Sequence, residues 1–177
     1  DRARARKLIQ EQTLTKLQPE AVGWLYSVLS GDANSTAEVT DIRRFLNNRV
    51  VETAGAANFV SSYREEDGYL LLASSRRGDG VILEALMRDQ PQNDLIAKLV
   101  KGLLAHRKSG KWSNTQENVF ILLALDQYFR TYEAQTPDFV ARAWLGDGYL
   151  GDSRFAGRSA DRVRTDVPMA ALPTDGP

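Results

Sequence analysis

The sequence predicts a mainly α fold in which paired helices are followed by a short C-terminal β-strand appendage. Over most of residues 1–134, apolar side chains recur at steps of three and four, which is the period of an amphipathic helix. A helix-start signal at Trp112–Asn118 precedes the uninterrupted apolar run Val119–Leu125. From Phe139 onward the period changes to two, as in a β-strand. These three observations divide the chain into a helical part and a smaller extended part.

The composition limits the classes of protein to which the chain can belong. Its 177 residues suffice for one domain, or for one domain with an appendage. Lysine plus arginine and aspartate plus glutamate number 23 each, so no global positive charge favours binding to nucleic acid or to an anionic membrane. Cysteine is absent, which excludes disulfides, thiolate metal sites and cysteine nucleophiles within these residues.

The N-terminal stretch Asp1–Lys7 is basic and helical in character. It has neither an initiator methionine nor the apolar core of a signal peptide, which indicates a mature chain or an excised piece of a longer one, and we favour the excised piece. A solvated helix end is the simpler interpretation of its charges, and a phosphate-binding arm is the alternative.

The first predicted helix has one apolar face and ends at Ser30-Gly31-Asp32. Ser35 and Glu38 form a capping box that predicts a second helix, which continues to about Ala57. Because the connection is short, we expect the two helices to form an antiparallel hairpin with their apolar faces in contact. The face of the first helix comprises Leu14, Leu17, Ala21, Trp24, Leu25, Val28 and Leu29.

A second helical hairpin is predicted farther along the chain. Helical spacing runs through Val81–Leu86, breaks near Pro91, and resumes from the candidate N-cap Asp94 through Leu104. Before it, Asp67-Gly68 separates two apolar stretches within residues 58–75, which indicates a short β-hairpin or an ordered loop.

The helix after Trp112 is predicted to be the most buried element. Two overlapping capping boxes, Ser113 with Gln116 and Asn114 with Glu117, specify its start. The run that follows is apolar on all sides, which predicts neighbours around most of the helix, and it is too short to span a membrane. We expect enclosure by paired helices, and a flank open to solvent would require both this arrangement and any kinship inferred from it to be abandoned. In so enclosed a helix, Leu123→Ala should cost about 2–5 kcal/mol.

A strand is predicted after Pro137. Phe139, Ala141, Ala143 and Leu145 face one way, and the residues between them face the other. Residues 146–148 supply a turn, 149–155 return, and 163–172 form a further extended candidate. Three strands leave open edges, so we expect this part to belong to a larger β structure.

His106 is the single histidine of the chain. Without cysteine, a zinc site would consist mainly of carboxylates, which is uncommon, and a side chain complementing a helix C-terminus is the simpler interpretation. Serine–histidine catalysis would also require His106, yet the sequence has no Gly-x-Ser-x-Gly elbow. We therefore predict no metal site, no catalytic residue and no cofactor.

Two other segments are candidates for chemistry. Glu65, Glu66 and Asp67 form an acidic cluster, and paired carboxylates can hydrolyse glycosides, but adjacent acids at a turn are usually solvated. Gly78-Asp79-Gly80 is not followed by the Lys-Ser/Thr of a phosphate loop and is better interpreted as a helix start.

The string from Gly110 to Asn118, Gly-Lys-Trp-Ser-Asn-Thr-Gln-Glu-Asn, resembles a motif in the thioester-containing domain of the alpha-2-macroglobulin and complement family. There, a Gly-aromatic-Ser-x-Thr-Gln string opens a buried helix near the end of an α/α toroid, in which helix hairpins pack as an inner and an outer ring. Leu122–Leu125 and Tyr128 continue the motif. The bacterial branch is the most similar, because Leu99–Arg107 and Thr136–Gly146 resemble the stretches that flank the motif there. The resemblance also covers Asn48–Ala54 and Phe155–Ser159.

The resemblance implies a partial α/α toroid over residues 1–134 and the start of a following β-sandwich over residues 135–177. Family members are large secreted or periplasmic protease traps, so the implied partners are target endopeptidases and other domains of the same chain. Nucleic acid and direct membrane insertion are not implied. The implied structural motif residues are Trp112, Ser113, Thr115, Gln116, Glu117 and Asn118.

One departure from the family pattern concerns its chemistry. The Cys-x-Glu-Gln thioester motif requires cysteine, so no thioester can form within this chain. Ile9-Gln10-Glu11-Gln12 has isoleucine at the cysteine position and lies too close to the later motif, so we interpret it as coincidence and expect any true motif upstream.

Two other functional hypotheses remain open. An α/α-barrel hydrolase or cyclase would gather Glu84, Asp89 and Glu117 in one concave pocket with raised carboxylate pKa values. A helical interaction module would dock a partner through the basic loop from His106 to Lys111.

Overall fold

The computed structural model describes residues 1–61, 74–134, 136–157 and 163–169. The mainly α class with a C-terminal β-hairpin is confirmed, whereas the hairpin predicted around Asp67-Gly68 lies outside the described residues. The described residues contain the α-helices α1 (Arg2–Gln12), α2 (Pro19–Leu29), α3 (Thr36–Arg49), α4 (Ser75–Asp89), α5 (Leu95–Ala105) and α6 (Thr115–Tyr132). The strands are β1 (Val50–Glu52), β2 (Ala57–Phe59), β3 (Asp138–Leu145) and β4 (Gly148–Ala156).

The chain divides into two compact units, Asp1–Thr131 and Tyr132–Pro177. The first unit contains the helices and the short β1–β2 ribbon, and the second contains the β3–β4 hairpin. The assignment of the second unit to a β-sandwich stays a prediction.

The basic N-terminal stretch is helical. Asp1 caps α1 by accepting hydrogen bonds from two backbone amides of its first turn. Arg6 lies 2.8 Å from one carboxylate oxygen of Asp32, and Arg2 lies 3.8 Å from the other. These two guanidinium groups therefore have an acidic partner within the chain.

The first predicted helix is divided in two. A 3-10 turn, Leu14–Lys16, precedes α2, which begins at Pro19, where the missing amide proton costs no helical hydrogen bond. The interruption shifts the buried face, so Trp24 and Val28 are exposed, contrary to the prediction. The buried apolar side chains of α2 are Val22, Leu25, Tyr26 and Leu29.

The helix α2 packs most extensively on α4, and less on its predicted partner α3. Glycines permit this close approach: a β-carbon at Gly23 would lie 2.8 Å from Ile82 Cγ1, and one at Gly78 would lie 3.3 Å from Glu20 Cβ. The prediction that each helix pairs with its neighbour in sequence is thus incomplete. The glycines of α2 and α4 allow these two helices to pack closely although α3 lies between them in sequence.

Three helices meet at the carboxylate of Asp89. Arg43 donates to both of its oxygens, at 2.7 and 2.9 Å, in the two-pronged geometry that suits a guanidinium, and the Tyr26 hydroxyl donates to one of them. Burial raises the pKa of Tyr26, and its bond to Asp89 raises it further. Burial alone would raise the pKa of Asp89, but the bonds from Arg43 and Tyr26 hold it below its usual value.

The helix predicted to reach Ala57 ends at Arg49. The next residues form β1, which pairs antiparallel with β2, so that Val50 lies opposite Phe59. The consecutive β-branched residues Val50 and Val51 favour an extended backbone, and the sequence interpretation did not weigh that preference.

At two helix starts, the residue predicted to cap the helix makes no capping hydrogen bond. Ser35 makes no capping bond to α3, because its hydroxyl donates to Asp32 and accepts from Arg6. At α5, the amide of Leu95 donates to the side chain of Asn93 at 2.9 Å, and the predicted cap Asp94 makes no side-chain capping bond.

The helix α6 is buried on one face only, so the prediction of enclosure on most sides is wrong for this chain. Ile121 and Ala124 are fully buried, whereas Val119, Leu122 and Leu123 are 47%, 54% and 55% exposed. Helices lie on one side of α6: a β-carbon at Gly80 of α4 would meet the backbone of Phe120 at 3.1 Å. An apolar run therefore does not show by itself how many sides of a helix are covered. In this chain, other helices cover only one face of α6.

The β3–β4 hairpin matches the predicted strand, turn and return. Phe139 and Phe155 pair across the strands and stack with ring centroids 5.3 Å apart. A β-bulge at Ala143/Trp144 is an irregularity that the alternation does not predict. Residues 163–168 carry no strand, and the remainder of the predicted extended segment lies outside the described residues.

Within the described ranges, none of the helices has both the length and the hydropathy that crossing a bilayer requires.

Candidate functional site

The segment from Lys111 to Asn118 comprises the end of the connection after α5 and the first turn of α6, and Trp112 in it is buried. Trp112 is 4% exposed, and its indole Nε1 donates a hydrogen bond to the carbonyl oxygen of Leu103 at 2.9 Å. That carbonyl lies in the last turn of α5, where it also accepts from the backbone amide of His106 at 3.2 Å. The tryptophan therefore packs in the core, and its buried indole N–H has a hydrogen-bond acceptor at the end of α5.

The side chain of Asn118 holds Trp112 in place. Its Oδ1 accepts from the Trp112 amide at 3.2 Å, and its Nδ2 donates to the Trp112 carbonyl at 3.1 Å. Nδ2 also lies 2.6 Å from the carbonyl oxygen of Asn114. One amide group thus bonds both polar backbone groups of a buried residue.

Glu117 connects the start of α6 to the start of α4. Asn114 caps α6 by accepting from the Glu117 amide at 2.9 Å, as the predicted capping box requires. A capping box would also have the Glu117 carboxylate accept from the amide of Asn114. It accepts instead from the amide of Ser113, one residue earlier, at 2.8 Å. Its other oxygen accepts from the hydroxyl of Ser74, which is also the N-cap of α4.

The remaining motif residues lie at the edge of this network. Thr115 is the first residue of α6 and is exposed, and Gln116 is half-buried. Among the hydrogen bonds of the described residues, none joins Ser113 to Gln116, so the first of the two predicted capping boxes does not form. A family role for the six motif residues stays a prediction.

A second buried carboxylate, Asp79, was missed in the sequence interpretation of Gly78–Gly80. It is 1% exposed, its Oδ1 accepts from the Phe59 amide at 2.7 Å, and its Oδ2 lies 3.0 Å from Arg76 Nη1. Burial raises the pKa of Asp79 to about 7, with a smaller contribution from the charge of Glu117, against the opposing effects of Arg76 and the Phe59 amide. A charged residue between two glycines gives no sequence signal of burial, because glycine fits either environment.

The acids of the hydrolase hypothesis have separate partners. Glu84 pairs with Arg88 on the surface of α4 at 2.9 Å, and Asp89 pairs with Arg43. Glu117 instead bonds the two serines described above. The pKa of Asp89 is lowered, contrary to that hypothesis. The cluster at residues 65–67 lies outside the described residues.

His106 is the C-cap of α5, and its Nδ1 lies 2.7 Å from the carbonyl oxygen of Gly102. Because a carbonyl only accepts, a hydrogen bond here requires the tautomer with the proton on Nδ1. In the part of the chain that the structure describes, no group of three histidine or acidic side chains is arranged to hold a metal ion.

Together the fold and this segment define a mainly α-helical protein in which a polar network fixes the entry to one helix. The chain is 31% identical over 102 residues to a protein named Alpha-2-macroglobulin homolog from Nostoc sp., an alignment that covers 58% of this chain and 5% of that protein. It is 27% identical over 179 residues to a protein named Circularly permutated Ras protein 2 from Dictyostelium discoideum, which covers 95% of this chain and 5% of that one. No protein-family profile matches the chain.

The chain therefore spans about 5% of the length of the curated relatives that it matches. The distant, partial similarity to the Nostoc protein supports kinship with alpha-2-macroglobulins. The sequence has no G-x-x-x-x-G-K-[ST] string.

Proposed function

We propose that this chain is a structural, non-catalytic part of a large bacterial alpha-2-macroglobulin-like endopeptidase inhibitor. The observation that carries the proposal is the motif from Trp112 to Asn118 at the start of a helix, together with the partial similarity to the Nostoc protein. The open flank of α6 removes the argument from enclosure, so the proposal rests on the motif and the similarity alone.

In this proposal the chain forms part of an α/α toroid, and α6 meets further helices of a longer protein. Val119, Leu122 and Leu123 form the flank that such helices would cover. Adjacent exposed apolar side chains of this size are typical of surfaces that contact another element. We expect the longer protein to be periplasmic or extracellular.

The chain itself supplies no acylating group, because it contains no cysteine. Any thioester would come from elsewhere in the longer protein, and the endopeptidase would be bound by that protein as a whole. The role of this chain is then to support the architecture around the motif.

Protease capture by the longer protein tests the inhibitor function. The protein is incubated with an active endopeptidase, and, as the control, with the same enzyme blocked beforehand at its active site. We expect the active enzyme to be retained in a complex or shielded from large substrates, and the blocked enzyme to remain free. Absence of capture across several endopeptidases would contradict the proposal.

Hydroxyl-radical footprinting tests the proposed environment of α6 separately. Leu122 and Leu123 should be oxidised in the 177-residue chain and protected in the longer protein. The buried Ile121 should be protected in both, which provides the internal control. Equal oxidation of the two leucines in both proteins would contradict the toroid arrangement, whatever the result of protease capture.

A further inference from the structure

A tight turn of defined geometry follows α5. The amide of Lys108 donates to the carbonyl of Lys111 at 2.9 Å, and the amide of Lys111 donates back to Lys108 at 3.1 Å. The two residues between them, Ser109 and Gly110, have φ of 49° and 83°. Positive φ at both central positions is the requirement of a type I′ turn, which holds its flanking residues in fixed register.

This geometry places two positive charges opposite each other. Lys108 and Lys111 form an antiparallel bridge, so their side chains project from the same side of the ribbon, and both residues are exposed. Like charges in directly opposed positions destabilise a β pair. An anion located between the two ammonium groups would remove that repulsion.

Two further cations lie at the same end of α5. Lys101 lies in the second half of α5, Arg107 follows the C-cap His106, and both cations are exposed. We call Lys101, Arg107, Lys108 and Lys111 the basic patch. Among the described residues, no carboxylate lies within 4.0 Å of any of these four side chains, although most other cations there form ion pairs.

We propose that the basic patch binds a short acidic segment of a protein partner, with a carboxylate between Lys108 and Lys111. The attraction between cations and the negative end of the helix dipole explains why Arg107 lies next to the C-terminus of α5. This attraction falls off within the last turn, so it does not explain Lys108 and Lys111 in the turn that follows. Four charges on a chain of zero net charge are too few to follow a nucleic-acid backbone, and they match a peptide of a few carboxylates.

The test uses the 177-residue chain and a hexaglutamate peptide at low salt. Amide shifts in a ¹⁵N NMR titration should concentrate in residues 101–111, and affinity should fall steeply as salt is added. Lys111→Glu should weaken binding at least fivefold, whereas Lys111→Arg should retain it. Lys16→Glu is the matched control, because Lys16 is exposed and forms no ion pair with any described residue, and its affinity should change less than twofold.

A thermal melt separates lost binding from lost folding. Lys111→Glu replaces a like-charged pair with an opposite-charged one, so its melting temperature should equal or exceed that of the parent chain. The proposal is overturned by any of three results: no peptide binding at low salt, equal weakening by Lys16→Glu, or binding of inorganic phosphate or duplex DNA as tight as that of the peptide.

Discussion

The amide side chain of Asn118 bonds both the amide and the carbonyl of Trp112, six residues earlier in the chain. The tryptophan is buried, so its backbone groups have little access to water, and Asn118 supplies the partners that they would otherwise lack. Asn118, in the first turn of α6, therefore fixes the position of Trp112, which in turn packs against the end of α5.

Asn118→Ala should lower the free energy of unfolding by about 1–3 kcal/mol, because it leaves two backbone groups of Trp112 without partners. Urea denaturation followed by tryptophan fluorescence measures the change. Asn48→Ala, at an exposed helical position, is the matched control and should change stability by less than about 0.5 kcal/mol. Equal effects of the two substitutions would contradict this role for Asn118.

Ile121→Ala and Leu123→Ala should separate the two faces of α6. Ile121 is fully buried, so its truncation should cost about 2–5 kcal/mol in the 177-residue chain. Leu123 is more than half exposed, so its truncation should cost less than about 1 kcal/mol, in place of the larger value expected from sequence. Chemical denaturation of both variants provides the comparison, and a larger loss for Leu123→Ala would show that the described faces are reversed.

Gly102→Ala should destabilise the contact between α5 and β2. A β-carbon at this position would overlap the carbonyl oxygen of Ala57, so the helix or the strand would have to move, at a cost of about 1–3 kcal/mol. Gly55→Ala is the control, because a β-carbon there meets nothing within 4 Å. Thermal unfolding should show a lower melting temperature for the first variant and an unchanged or slightly higher one for the second.

Stability should fall as the pH rises from about 4 to about 7. The pKa of Asp79 is raised from 3.8 to about 7, so in this interval the folded chain binds more protons than the unfolded chain, and raising the pH favours unfolding. The loss is at most about 4 kcal/mol. Below pH 4 the lowered pKa values of Asp89 and Asp32 act in the opposite direction, because their stabilising charges are lost there.

Asp79→Asn should flatten this pH dependence between 4.5 and 7.5. Asp126→Asn, at an exposed position on α6, should leave the slope intact. Urea titrations at a series of pH values supply the measurement. A parent chain whose stability rises across this interval would contradict the assignment to Asp79.

Much of the helical framework could be predicted because helical periodicity depends on local residues. The breaks near Pro91 and after Ser30, and the start of α5 at Leu95, all follow from residues adjacent in sequence. What could not be predicted depends on contacts between distant residues. The preference of α2 for α4 arises from glycines in both helices, and neither glycine shows from its own surroundings which helix it will meet.

Only part of the hydrogen bonding at the start of α6 could be predicted from the sequence. The capping role of Asn114 follows from its spacing to Glu117, whereas the bond from Ser74 to Glu117 joins residues that are 43 positions apart. The burial of one face of α6 also depends on which helices are present, and an apolar sequence alone does not reveal how many sides are covered.

The carboxylate of Asp89 has a consequence for how the helical unit opens. It accepts hydrogen bonds from side chains of α2 and α3 while belonging to α4, so detaching any one of these helices breaks bonds to another. Hydrogen exchange should therefore report one shared opening event for the three segments, with similar protection of their slowest amides, in place of independent fraying.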